Sequence, residues 1–144
     1  RWQSDVLNLK PDWLSIMIGI NDVWRQFHSP GVTESHVYTD EYEETLESLV
    51  KATLPSLKGM VLMTPYIIEA NKSDLMRSAM DRYGEIVKRI AAQYGTLVVD
   101  TQSVFDSILS TYHSAALALD RIHPNTIGQM IIAKAFLNAV GYRW

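Results

Sequence analysis

The chain has 144 residues, 47% of them hydrophobic and 20% charged, and a net charge of −3. That length suffices for one domain with a real core, and a mildly acidic balance without a basic run argues against nucleic acid as a partner. The absence of cysteine excludes disulfides, thiol chemistry and Cys-ligated metals, and no apolar run reaches the length of a membrane span.

Residues 1–10 place Trp2, Val6, Leu7 and Leu9 near helical spacing, and Pro11 ends that run. Trp13 to Ile18 is short and almost wholly apolar, the pattern of a strand buried on both faces as in a parallel sheet. Gly19-Ile20-Asn21-Asp22 follows: a residue free in its backbone angles, then two polar side chains. In open α/β sheets ligands sit beyond the carboxyl ends of the strands, which places Asn21 and Asp22 at the rim of a site. A short helical turn is expected over 23–27, and Ser29-Pro30-Gly31 marks a loop over 28–37.

Asp40 with Glu43 resembles a capping box, and Tyr42, Leu46, Leu49, Val50 and Leu54 form an apolar stripe as far as Pro55. A second buried strand is expected at 60–63, with Thr64-Pro65-Tyr66 as its exit. Ser73 or Asp74 can cap a long helix whose stripe is Met76, Met80, Tyr83, Val87, Ile90 and Tyr94, with Gly95 as its stop. Leu97-Val98-Val99 reads as a third strand, closed by Asp100. A short helix is expected over 103–110, a polar turn over 120–125, and a last helix over 126–140 ahead of Gly141. The pattern over 112–119 fits no single element. Strand and helix alternate, which is the signature of an α/β domain with a parallel sheet, and the chain shows no internal repeat and no second domain.

Two groups of residues carry candidate chemistry. Asp120, three positions before His123 in a turn held by Pro124, can bond the ring's Nδ1–H and leave Nε2 free as a base. Taken alone, the same spacing fits a surface turn that caps the final helix. The Asn21 amide can donate to an oxyanion; taken alone, Asn21 and Asp22 can equally bond local backbone and shape a turn. Trp24, Arg25 and Tyr66 are candidates for the wall of an acyl or sugar pocket, and each equally fits packing or surface. His28 and His36 fall in the polar loop, where solvation is expected, and His113 suits a cap. The four histidines lack metal-ligand spacing, so no metal is expected. No glycine-rich phosphate loop supports a flavodoxin-like nucleotide or receiver domain.

Together, Gly19-x-Asn21-Asp22 and Asp120-x-x-His123-Pro124 resemble two signature blocks of the SGNH, or GDSL, hydrolases, and the order of strands and helices between them agrees across the chain. The resemblance implies a flavodoxin-like three-layer sandwich with a parallel sheet. It implies that His123 is the general base, that Asp120 orients it, and that Asn21 donates to the oxyanion hole. It implies hydrolysis of acyl or acetyl esters, including carbohydrate-linked ones, without a cofactor.

The family's Gly-Asp-Ser nucleophile block and its second, glycine-bearing block have no counterpart among these residues. The three strands resemble the family's third, fourth and fifth. The expectation is therefore the C-terminal portion of one SGNH-like domain over 1–144, with three of five strands, an Asp–His pair and no nucleophile. Alone, such a chain is expected to be inactive; the alternative is a non-catalytic binding module. With the first two strands missing, Trp13 to Ile18 becomes a sheet edge. It is then expected to pair either with a companion segment or with a second copy.

Overall fold

The computed structural model describes residues 1–142. Three strands, β1 (Trp13–Met17), β2 (Gly59–Met63) and β3 (Leu97–Val99), form a parallel sheet in the order β1-β2-β3. Trp13 stands opposite Gly59 and Met17 opposite Met63; Val61 stands opposite Leu97 and Met63 opposite Val99. Because the strands are parallel, all three carboxyl ends gather on one side. The helices are α1 (Trp2–Asp5), α2 (Ile20–His28), α3 (Thr39–Thr53), α4 (Leu75–Tyr94), α5 (Thr101–Leu109) and α6 (Thr126–Ala139). The fold is α/β, with helices on both faces of the sheet.

The period-2 alternation of side chains along a strand decides what each face buries. On one face Ile16, Met60 and Leu62 meet Val23 of α2, Tyr42, Leu46 and Val50 of α3, and Met80, Tyr83, Val87 and Ile90 of α4. On the other, Val61, Met63 and Val99 meet Ile132, Ala135, Phe136 and Ala139 of α6. The cover provided by α6 reaches β2 and β3 but not β1. Trp13 and Met17 therefore remain 54% and 44% exposed, while Ile16 on the opposite face is 6% exposed. This corrects the expectation of a strand buried on both faces: β1 is apolar on both sides but covered on one. The Trp13 ring lies directly over the bare backbone of Gly59 on the neighbouring strand.

Other departures have local causes. Residues 1–10 break into α1 and a 3-10 turn over Leu7–Leu9, which Lys10 ends with a left-handed backbone. The helix expected from Val23 starts at Ile20, capped by Gly19 at φ +116° without a side-chain bond. Asp40 does not cap α3. The cap is Tyr38, two residues earlier and extended, and Asp40 lies within the first turn, where a carboxylate favours the dipole. Asp74 caps α4, accepting from Arg77 N, and Gly95 closes that helix at φ +65°. Asp100 caps α5, which starts at Thr101, two residues before the expected start.

Candidate active site

The carboxyl ends of β1 and β2 are locked together by Gly19. A Cβ there would stand 3.1 Å from Pro65 Cγ and 3.1 Å from Tyr42 Oη, so only a glycine with positive φ fits. The Tyr42 hydroxyl donates to the Ile18 carbonyl at 3.0 Å, tying the end of β1 to α3. The chain turns directly into α2, which puts Asn21 in the first helical turn, exposed. Among the described residues the Asn21 carboxamide makes no hydrogen bond to protein, so it does not serve as a local turn brace. Burial pushes the Asp22 carboxyl upward, against the charge of Arg25.

The exit of β2 brings the second group to the same rim. Residues 64–68 are buried outside any helix or strand, and their polar groups need partners from elsewhere. Gln102 supplies two: its Oε1 accepts from Ile67 N at 2.8 Å and its Nε2 donates to Ile67 O at 3.1 Å. Ile68 N donates to the Arg121 carbonyl at 2.9 Å. The Asp120–Asn125 turn is thus pinned to the β2 exit, and Ile122 is buried in the core with Val23. Ile20, beside Asn21, packs against both that core and the cluster of Tyr66, Phe105 and Leu117.

Within the turn, Asp120 Oδ1 accepts from Ile122 N at 3.0 Å and His123 N at 2.8 Å. Its Oδ2 meets His123 Nδ1 at 2.7 Å. The backbone N–H of His123, then its ring, then the N–H of Ile122 hold the Asp120 carboxyl well below the usual carboxylate range. An ionised acceptor on Nδ1 selects the Nδ1–H tautomer, which leaves Nε2 with a free lone pair. The His123 side chain is 75% exposed, so that lone pair faces solvent. An oriented base and an unengaged amide donor, carried on segments anchored at the ends of β2 and β1, suit chemistry in which a proton leaves a nucleophile and charge develops on an oxygen.

The turn also holds Arg121 at φ +67°, a left-handed backbone that costs a side-chain-bearing residue about 1–2 kcal/mol. Its Nη1 donates to Glu69 Oε2 at 2.7 Å and to Asp74 Oδ2 at 3.2 Å. Sequence reading missed Arg121, Glu69 and Gln102. Their partners lie far away in the chain, and no motif spacing reveals them.

The remaining candidates sit as follows. Trp24 is half-buried, packs against the core and stacks on His28 with ring centres 4.5 Å apart. Tyr66 is buried against Phe105. His113 accepts from Ala115 N as a turn cap. His36 is buried rather than solvated, with Nδ1 on Tyr38 Oη and Nε2 on the Ser29 carbonyl. A polar cavity of about 320 Å³ lies between α4 and α5. It is lined by charges that pair with one another (Arg77 with Asp81 and Asp106, Lys88 with Asp100), and neither Asp120 nor His123 borders it. Among the described residues no three His, Asp or Glu side chains are grouped to hold a metal, and no helix is long and apolar enough to cross a membrane.

Residues 1–131 match the profile of the GDSL-like lipase/acylhydrolase family. The chain belongs to that family. It is 56% identical over 144 residues to the acetylxylan esterase of Geobacillus stearothermophilus, covering 100% of this chain and 66% of that protein. Solved forms of that esterase superpose with TM-score 0.99 over the whole chain. Three of them are described as catalytic mutants, in which a serine, an aspartate or a histidine is replaced by alanine; the aspartate and histidine are three positions apart. A protein described as an alpha/beta hydrolase from the metagenome of Lake Arreo, Spain, matches at 56% identity and TM-score 0.96, over 98% of this chain and 65% of its own. The chain thus spans just under two thirds of these relatives.

Proposed function

We propose that this chain carries the acid–base part of a serine esterase site, with acetylated carbohydrate as the leading substrate class. The carrying observation is the Asp120–His123 pair, 2.7 Å apart with Nε2 free at the strand-end rim. Its three-residue spacing equals that between the aspartate and histidine of the acetylxylan esterase's catalytic mutants. In that esterase the catalytic serine stands further ahead of the aspartate than the whole stretch preceding Asp120 here. The nucleophile is therefore proposed to come from chain outside these 144 residues.

In the reaction, His123 Nε2 takes the serine proton as the oxygen attacks the ester carbonyl. Asp120 stabilises the resulting imidazolium, and the Asn21 amide donates to the oxyanion. His123 then returns the proton to the leaving alcohol, and water, activated by the same nitrogen, releases the acid. Trp24 stands one turn along α2 from Asn21, half-buried, and is proposed to line the acyl or sugar pocket. The unpaired edge and bare face of β1 support the same reading, because a companion segment that added a strand beside Trp13 to Met17 and a helix across them would cover both.

The test compares p-nitrophenyl acetate and acetylated xylooligosaccharide turnover by the longer gene product and by this chain. The longer product is expected to turn over, and His123→Ala to abolish it. Asn21→Ala is expected to lower kcat by about 10²–10³ with little change in KM. This chain alone is expected to match its His123→Ala control; steady turnover abolished by that substitution would mean that one of its own serines is the nucleophile.

A further inference from the structure

The hydrogen bonds of Asp120 all run within its own turn, to Ile122 N, His123 N and the His123 ring. They close the turn on itself and reach nothing outside it. The ends of the turn are anchored by the Ala118–Pro124 bridge and by Asn125 N on the Leu117 carbonyl, and the span between them is held to the rest of the molecule through Arg121 and Ile122. Ile122 supplies a buried contact, which resists sliding, but an aliphatic chain sets no angle. Arg121 supplies directed bonds on two sides. Its carbonyl accepts from Ile68 N at 2.9 Å, at the exit of β2. Its Nη1 reaches Glu69 Oε2 at 2.7 Å and Asp74 Oδ2 at 3.2 Å, the latter at the cap of α4. Both carboxyls are held below their ordinary values, Glu69 by the Asn71 N–H and then Arg121, Asp74 by the Arg77 N–H first. The clamp is therefore ionised on both sides at neutral pH.

This clamp holds a backbone that an arginine would otherwise leave, since φ is +67°. We propose that Arg121, through Glu69 and Asp74, is a positioning residue. It keeps the turn in its left-handed conformation and thereby keeps the His123 ring on Asp120 with Nε2 turned to the rim. The inference rests on the esterase reading only in taking His123 as the base.

The test is the tautomer of His123 in the ¹⁵N-labelled chain, read from its ring nitrogen shifts at a pH where the ring is neutral. The parent is expected to hold the Nδ1–H form. Arg121→Ala and Glu69→Gln are each expected to lose it, reverting to the Nε2–H form that free histidine prefers. Arg121→Lys is expected to keep it, because one nitrogen makes both side-chain contacts and an ammonium can replace it. In the active longer product, Arg121→Ala is expected to lower kcat at least about ten-fold with KM unchanged, and Arg121→Lys to restore most of it. Retention of the Nδ1–H form in both Arg121→Ala and Glu69→Gln overturns the proposal, even if melting temperatures fall. Should Arg121→Ala fail to fold, Glu69→Gln decides alone by the same criterion. A parent that holds the tautomer but shows no esterase activity in any form counts against the esterase reading and leaves the positioning role standing.

Discussion

Replacing Gly128 by alanine sets two effects of known size against each other. Gly128 is the third residue of α6, buried, and its N–H donates to the Asn125 cap at 3.1 Å. Intrinsic helix preference favours alanine by at most about 1 kcal/mol. Against that, the new Cβ would stand 2.6 Å from Pro124 Cβ and 3.2 Å from the Leu117 carbonyl oxygen. Carbon pairs rest at about 3.5–4.0 Å, so something must move by about 1 Å, and neither neighbour is a flexible chain end. Pro124 is a ring next to His123, and Leu117 O is engaged by Asn125 N at 2.7 Å. Overpacking of this kind costs about 1–3 kcal/mol, and disturbing the Asn125 cap adds about 1 more. The net expectation is a loss of about 1–3 kcal/mol, a fall in Tm of about 3–12 °C at this size. Gly84→Ala, inside α4, is the internal control. There the Cβ would meet Thr64 Cβ at 3.7 Å, an ordinary contact, so the same chemical change is expected to stabilise by about 0.5–1 kcal/mol. Thermal melts by far-UV circular dichroism, run side by side, read both signs. A Gly128→Ala chain that melts at or above the parent would refute the reasoning.

Arg77 is 2% exposed and bonds both oxygens of Asp106 at 2.7 Å, so Arg77→Met is expected to cost about 3 kcal/mol at pH 7, read from urea midpoints. Burial works to raise the Asp106 pKa, but hydrogen bonds from Arg77 and Gln102 hold it below its ordinary 3.8. The pair's contribution is then fully present above that value and fades as pH falls through the folded one; an equal cost at pH 7 and pH 3 would refute it. Ser15→Lys, on the uncovered face of β1 between Trp13 and Met17, is expected to reduce self-association of the chain in sedimentation equilibrium. An unchanged mass at every concentration would show that copies do not pair there.

The helices most legible in the sequence are those with one covered side. Met76, Met80, Tyr83, Val87 and Ile90 all lie buried along α4, and Tyr42, Leu46 and Val50 along α3. The strand at Trp13 was legible as a strand but not in its burial, because its residues report hydrophobicity and not whether a neighbour is present. The start of α2 was illegible because Gly19 caps through its backbone angle, with no side chain to read. Asp120 and His123 were legible because a pair three residues apart before a proline has few geometries open to it. Arg121 was not: its partner Glu69 is separated from it by the whole of α4 and β3, and its left-handed backbone is a property of the folded turn.

The all-parallel register has a consequence for how the molecule is made. Antiparallel strands can zip outward from a tight turn, but here each strand meets its neighbour only after a helical connection has been laid down between them. Among the described residues α4, with 20, has the most local bonds with which to form early. β2 must wait for partners on both sides, with Met60 to Met63 uncovered meanwhile. Refolding of this chain should therefore be slow for its size, and its yield should fall as concentration rises. Newly synthesised copies would meet one another through the same apolar strands before the sheet closes over them.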